Sequence, residues 1–536
     1  MAPIWSRRRL FRAVGGATAA PLLALTGCDD RTAPVRRPAP AGRGGSAAYE
    51  AGSEPGQLGP VLRSQRPRPT PYVRPLPVPT PLRPVATTAT EDVYDLTARP
   101  GTVRILDDVD TPVWGYDGSF PGPLFESHRG RSVRVRLRNE LPVPTVRHLH
   151  GGHTPQESDG YPLDYVLPAG AAATAGEHHL HPGGRVHHGA FDYVYPLDQR
   201  AGLLWYHDHR MDFSGPQVWQ GLVGLHVHRD DEEAALGLPD GDHEIPLLLC
   251  DRSFGPDGQL SYPSLDPDLA STPGVLPEFA NGVLGDTVLV NGVHAPFHEV
   301  RQGTYRLRIA IASNARHYRI GLDRPPVAGE PFTMIGTDGG LMSHPMPVRS
   351  FVLAPAERVD VVLDLTGYPV GAKVRLQNLS GGSGTTALVE FRVTGPDDRP
   401  AWRPPARLSR IERLDPAAAV RTRSFFFSKV PTAGGPTFRI SHHMFDPDRV
   451  AAAPRQGDIE IWELTTDQQH PVHVHNCHFQ LLGDDGPLAW KDVVSLGVND
   501  RRRIITRFDS YRGRFLLHCH NLEHEDMGMM ANYEIR

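Results

Sequence analysis

The chain is 536 residues long, too many for one hydrophobic core and enough for two to four domains. Hydrophobic residues make up 39% and charged residues 22%, the balance of an ordinary soluble globular chain. A net charge of −5 gives no basis for nucleic-acid binding or strong steering, and no apolar run approaches the roughly 20 residues of a membrane-spanning helix.

The N-terminus differs from the rest. Ser6-Arg7-Arg8-Arg9-Leu10-Phe11-Arg12 has the pattern of a twin-arginine export signal, followed by a short apolar run from Ala13 to Gly27. Leu25-Thr26-Gly27-Cys28 then matches a lipoprotein cleavage box, so residues 1–28 are expected to be a signal segment with Cys28 carrying lipid. The expected location is extracytoplasmic, on the cell membrane through that anchor. Residues 29–71, rich in Pro, Arg and Gly and without hydrophobic periodicity, are expected to form a flexible linker with order beginning near Tyr72.

From Tyr72 onward short strands alternate with Gly, Pro, Asn and Asp turns, and the 53 prolines and 54 glycines favour this texture over long helices. Ser132–Arg138, Tyr305–Ile309 and, more loosely, Asp458–Trp462 alternate polar and apolar residues as half-buried strands do. Val359–Leu365 is apolar almost throughout and fits a more buried strand. An all-β chain of β-sandwiches follows, with polar, Pro-containing breaks near 235 and 405 that give domains 72–235, 236–405 and 406–536.

Four histidine motifs carry the chemistry: His148-Leu-His150, His207-Asp-His209, His470-Pro-Val-His473-Val-His475, and His518-Cys519-His520 followed by His524 and Met529. With 27 histidines, about one or two His-x-His pairs arise by chance, and His179/His181 and His226/His228 are two more. The information therefore lies in the combination. Alternate strand residues share a face, so each pair aims two imidazoles the same way, about 7 Å apart along the strand. Neutral imidazole is a good copper ligand, and four converging pairs would hold several ions. In the last motif His518 and His520 share one face and Cys519 takes the other, so one strand can touch two metal centres. Cys519, His470 and His524 with the Met529 thioether then make up the His₂Cys set with a long methionine that defines an electron-transfer copper site.

In order and spacing these motifs resemble those of multicopper oxidases, most closely the bacterial spore-coat laccase, bilirubin oxidase and phenoxazinone synthase group. The similarity also runs through Trp114–Pro123, Gly285–Gly292, Leu353–Asp360 and Trp490–Asp492. It implies three cupredoxin-like Greek-key domains and four copper ions, with a trinuclear cluster between the first and third domains. His148 and His473 would hold type 2 copper. His150, His207, His209, His475, His518 and His520 would hold the type 3 pair. His470, Cys519 and His524 would hold type 1 copper with Met529 axial, Met527 and Met530 being near alternatives. Asp159 and Glu525 match positions that carry protons to the cluster in the spore-coat laccase group. The implied activity is one-electron oxidation of a small organic reductant (a phenol, aminophenol or bilirubin-like pigment), coupled to four-electron reduction of dioxygen to water. A three-domain chain can hold its cluster within one subunit, and a monomer is expected.

Two other functions are weighed. A metallo-oxidase for cuprous or other metal ions would favour soft thioether ligands, and only 9 methionines are present. A non-enzymatic cell-envelope scaffold would have lost ligands that this chain retains. Of the remaining candidates, His178, His179, His181, His187 and His188 are expected in a solvated loop, with an accessory copper-acquisition loop as the alternative. His226/His228 are expected on the last strand of the first domain without metal. His442 and His443 could line the approach to the type 1 site, and Met342 and Met346 are too sparse for a cuprous site. Cys250 and Cys477 are expected as free buried thiols, with a bridge as the alternative.

Overall fold

The computed structural model describes residues 59–170, 178–433, 435–483 and 485–536. Residues 1–28, with the export signal and Cys28, and residues 29–58 of the linker lie outside the described residues. Six large sheets account for nearly all regular structure, and they pair by chain segment into three β-sandwiches. Among the described residues no helix is long and apolar enough to cross a membrane.

In the first sandwich the sheet around Glu91–Val103 and Ser132–Asn139 packs on one ordered Phe125–His128, Val223–Arg229, Gly202–Asp208, Arg147–His150. The predicted alternation of Ser132–Asn139 is clear: Val133, Val135 and Leu137 enter the core with Phe125, Leu149, Leu204 and Tyr206. Burying each such side chain contributes about 1.5–3 kcal/mol. A one-residue slip would exchange all three for Arg134, Arg136 and Arg138, so the register is strongly fixed.

The second sandwich joins a seven-stranded and a five-stranded sheet across one apolar core that includes Leu307, Ile309, Val359, Val361 and Phe391. Its strand Thr304–Ile311 departs from the half-buried expectation, because both faces are buried. Arg306 and Arg308 are enclosed because Glu233, Glu244 and Asp360 meet them: Arg306 Nε donates to Asp360 Oδ1 at 2.9 Å and Arg308 Nη2 to Glu233 Oε1 at 2.5 Å. Those acids come from other strands and from the segment after the first sandwich, so local alternation does not report them. Beside this ionic patch, Leu203, Trp205, Leu225 and Val227 of the first sandwich pack on Leu248, Cys250, Leu289 and Ala310 of the second.

In the third sandwich one sheet is ordered Val450–Ala452, Met530–Ile535, Gly513–Cys519, His470–Val474, Val493–Leu496. Its contact with the first sandwich includes Leu516 and Met530 against Val146, Tyr161 and Leu163.

The linker expectation needs correction at its end. The chain is already bound from Leu62, where Leu62 N–H donates to Leu284 O at 2.7 Å, Ser64 N–H to Asp286 Oδ2 at 2.9 Å and Gln65 N–H to Phe254 O at 2.7 Å. An extended segment held by backbone and polar bonds needs no hydrophobic period of its own.

Candidate metal centre

Strand register builds the site from two sheets. In the first sandwich Arg147–His150 and Gly202–Asp208 are antiparallel partners, with His207 opposite His148 and Trp205 opposite His150. In the third, His470–Val474 and Gly513–Cys519 set His473 opposite His518 and Val472 opposite Cys519. Side chains of directly opposed residues share a face. His148, His150, His207 and His209 therefore confront His473, His475, His518 and His520, and all of them are at most 1% exposed. The rings interleave across the interface: His148 stacks on His475 with centroids 4.0 Å apart, and His150 on His473 at 3.7 Å.

Five of the rings are oriented by what one nitrogen touches, while His520 has no hydrogen-bond partner on either nitrogen. His148 Nδ1 lies 2.5 Å from Asp159 O, His207 Nδ1 2.9 Å from Asp208 O, and His473 Nδ1 2.9 Å from Asp492 O. His475 Nδ1 lies 2.9 Å from Asp159 Oδ2, while His150 turns the other way, Nε2 3.3 Å from Asp492 Oδ1. The opposite nitrogens, Nε2 of His148, His207, His209 and His473 and Nδ1 of His150, are buried without a hydrogen-bond partner. Nε2 of His475 and His518 face each other at 3.1 Å. Buried ring nitrogens left unpaired and pointed together fit bound cations, which is the test this donor set passes.

Burial, then neighbouring charges, holds His148, His150, His473, His475 and His520 well below the ordinary histidine range, with His207 at about 3 and His209 at about 4. These seven imidazoles are thus neutral and available as ligands.

The second face of the same strands makes a separate group. His470 lies an odd number of residues from His473 and so shares the Cys519 side of the sheet. Cys519 Sγ is 3.4 Å from His470 Nδ1 and 3.6 Å from His524 Nδ1, and the two nitrogens are 3.1 Å apart. Burial pushes the Cys519 thiol up, so a thiolate here needs a bound cation. Met529 is buried in the same core cluster, and Cys519 N–H donates to Met529 O at 3.1 Å. Met530, one residue on, packs in the Tyr161 cluster instead, and Met527 is only partly buried. The ring of Phe438 covers His524, with centroids 4.0 Å apart, and Asp467 Oδ1 is 3.6 Å from His470 Nε2.

The short helix Leu522–Asp526, capped by Asn521, serves both groups. His524 joins Cys519, whereas Glu525 lies between His209 Nδ1 and His518 Nδ1, 3.2 Å from each. Burial opposes the Glu525 charge, but those imidazoles hold the carboxyl below its usual range. Asp159 is fully buried and pushed up to about 8 by that burial. Both predicted carboxylates are therefore in contact with the histidine cluster.

Sequence reasoning assigned no role to Asp492 or Arg358, although both sat in the similar segments. Arg358 donates to both Asp492 oxygens at 2.6 Å, and this buried pair supports His150. A cleft of about 670 Å³ lined by His153, His478, Trp490 and several arginines reaches the same place, His478 Nε2 being 3.7 Å from Asp492 Oδ2.

The other candidates lie apart from the cluster. His226 Nε2 and His228 Nδ1 both bond Ser127 Oγ, at 2.7 and 2.8 Å, on strand Val223–Arg229. His442 and His443 are exposed, and Met342 and Met346 pack on the second sandwich core. Cys250 and Cys477 are free and buried. His179 and His181 are not simply solvated, because both meet Asp212.

Known proteins agree with this geometry. Multicopper oxidase family models match residues 97–175 and 413–536. A laccase of Bacillus subtilis (strain 168) is 33% identical over 87% of this chain and 98% of its own length. A bilirubin oxidase of Albifimbria verrucaria is 30% identical over 86% of this chain and 81% of its own length. The crystal structure of a laccase from Pediococcus acidilactici superposes with a TM-score of 0.74 at 30% identity, covering 90% of this chain and 96% of that one. The chain belongs to the multicopper oxidase family. Within it, the protein is a laccase-like copper oxidoreductase of three cupredoxin-like domains.

Proposed function

We propose that the protein oxidises a small organic reductant, a phenol, aminophenol or bilirubin-like pigment, one electron at a time and reduces dioxygen to water with four copper ions. The observation that carries this is the double-faced Gly513–Cys519 strand: Cys519 meets His470 and His524, while His518 faces His475 across the histidine cluster. In the proposed assignment His470, Cys519, His524 and Met529 hold type 1 copper, His148 and His473 type 2, and His150, His207, His209, His475, His518 and His520 the type 3 pair. Bound there, copper supplies one-electron redox chemistry toward the reductant and multi-electron chemistry toward dioxygen.

The protein's own residues define the rest. Asp467, whose side chain is one-third exposed beside His470, is the contact a reductant can reach, since His470, His524 and Phe438 are themselves fully covered. Asp159 holds a proton at its carboxylate beside His475, and Glu525 stands as an ionised carboxylate between His209 and His518, which places two carboxyl groups to pass protons at a cluster closed to bulk water. Asp492, fixed by Arg358, orients His150. All these groups belong to one chain, so a monomer suffices for the proposed chemistry.

For localisation we propose twin-arginine export and a lipid anchor on Cys28. Equal detergent partition of the mature protein and a Cys28→Ser variant would remove the anchor. The activity is tested by oxygen uptake of the copper-loaded protein with an aminophenol, bilirubin or cuprous ion under identical conditions. Faster turnover of an organic reductant is expected. A preference for cuprous ion would replace this reading with a metallo-oxidase.

A further inference from the structure

Outside the catalytic cluster, three donor atoms meet on one face of the first sandwich. His179 Nε2 and His181 Nε2 are 3.0 Å apart, and they lie 2.9 and 2.7 Å from the same oxygen, Asp212 Oδ2. Hydrogen bonding cannot satisfy all three contacts. If both nitrogens carry protons and donate to Asp212, two donors face each other at 3.0 Å. If either nitrogen is bare, its lone pair faces a carboxylate lone pair or leaves the carboxylate with one donor. A cation among the three atoms resolves every contact as a ligand bond.

The spacing also selects a geometry. With metal–ligand bonds of about 2.0–2.2 Å, neighbouring donors are about 2.8–3.1 Å apart on an octahedral ion and about 3.3–3.6 Å apart on a tetrahedral one. The edges of 3.0, 2.9 and 2.7 Å fall on the octahedral side, as one face of two imidazoles and a carboxylate. The imidazole side chains are 32% and 35% exposed, so the opposite face opens to solvent.

The framework holds these groups in place. His179 N–H donates to Ala270 O at 2.8 Å, and His181 N–H to the buried Tyr165 hydroxyl at 3.2 Å. Arg210 clamps the Ala270 segment, Nη1 donating to Leu269 O at 2.7 Å. Asp212 has φ of 68°, a left-handed conformation that costs energy outside glycine and is held here by its surroundings. Asp212 also borders a crevice with Glu523, Asp526 and Met527, on the segment that carries His524 and Met529.

We propose that His179, His181 and Asp212 form an accessory site for a divalent first-row transition-metal ion, Cu(II) above the others, separate from the catalytic copper. Two nitrogens and one hard oxygen suit a divalent ion, and affinity along the first-row series peaks at Cu(II). Cuprous ion, which prefers sulfur donors, is not its ligand.

The test uses the copper-loaded full chain after dialysis, titrated with Cu(II) and read by equilibrium dialysis and electron paramagnetic resonance. One additional equivalent with a nitrogen-and-oxygen signature is expected, bound at least tenfold more weakly by His179→Ala and by His181→Ala. Unchanged visible copper–thiolate absorption in both variants shows that the fold and the type 1 site are intact. No additional equivalent in the unsubstituted protein would overturn the proposal. So would an additional equivalent that both variants keep, which would place the ion elsewhere.

Discussion

Replacing Glu525 with glutamine is the most informative change near the cluster. The side chain is buried, with one carboxylate oxygen 3.2 Å from His209 Nδ1 and the other 3.2 Å from His518 Nδ1. Glutamine has the same shape but only one acceptor oxygen, so one imidazole keeps its partner and the other meets an NH₂ group. Losing one of these charged contacts together with the carboxylate that passes protons predicts a 10- to 100-fold fall in oxygen uptake at saturating reductant, about the cost usual for a residue that orients metal ligands. Copper content after saturating reconstitution and the visible copper–thiolate absorption are expected to match the parent, because Cys519, His470 and His524 lie on the other face. Oxygen uptake within twofold of the parent, at equal copper content, would refute the role given to Glu525.

Three further changes probe the supports. Asp492→Asn strands the buried Arg358 guanidinium, which both carboxylate oxygens now meet at 2.6 Å. A loss of about 3–5 kcal/mol in stability is expected by thermal unfolding, and an unchanged Tm would contradict it. Burial alone would raise the Glu244 carboxyl, but Arg308, Arg229 and Arg306 outweigh that and hold it at about 2 against an ordinary 4.5. Because the folded value is depressed, this stabilisation is complete above about pH 4.5 and is lost as pH falls through about 2. It amounts to at most about 3 kcal/mol. Glu244→Gln should therefore lower stability at neutral pH and flatten the decline of Tm between pH 4.5 and 2, and parallel curves would refute this. Ser127→Ala removes the shared partner of His226 and His228, costing about 1–3 kcal/mol. Copper content should be unaffected, and a loss of catalytic copper would show that this pair is not purely structural.

The histidine cluster was legible because two rules act on neighbouring residues: alternate strand positions share a face, and Cys519 must oppose His518 and His520. The same rule places His470 apart from His473 and His475. Supports contributed from far along the chain were not legible. Arg306 and Arg308 looked like the polar face of a half-buried strand until Glu233, Glu244 and Asp360 met them. Asp492 carried no local sign that Arg358, 134 positions away, would hold it against His150. The pairing of His179 and His181 with Asp212 crosses more than 30 positions, so their spacing alone had been indistinguishable from chance. Residues 59–71 lack any period because their order comes from bonds to the second sandwich rather than from an apolar face.

The central claim, that one strand joins two different copper sites, is tested most directly by copper analysis and visible absorption of Cys519→Ser beside the parent protein, each dialysed to remove loosely held metal. The parent should hold four catalytic copper ions and show an intense copper–thiolate band. The variant should lose the band and one copper while keeping the three held by the histidine cluster. A parent without the band, or a variant that retains both the band and all of its copper, would contradict the account.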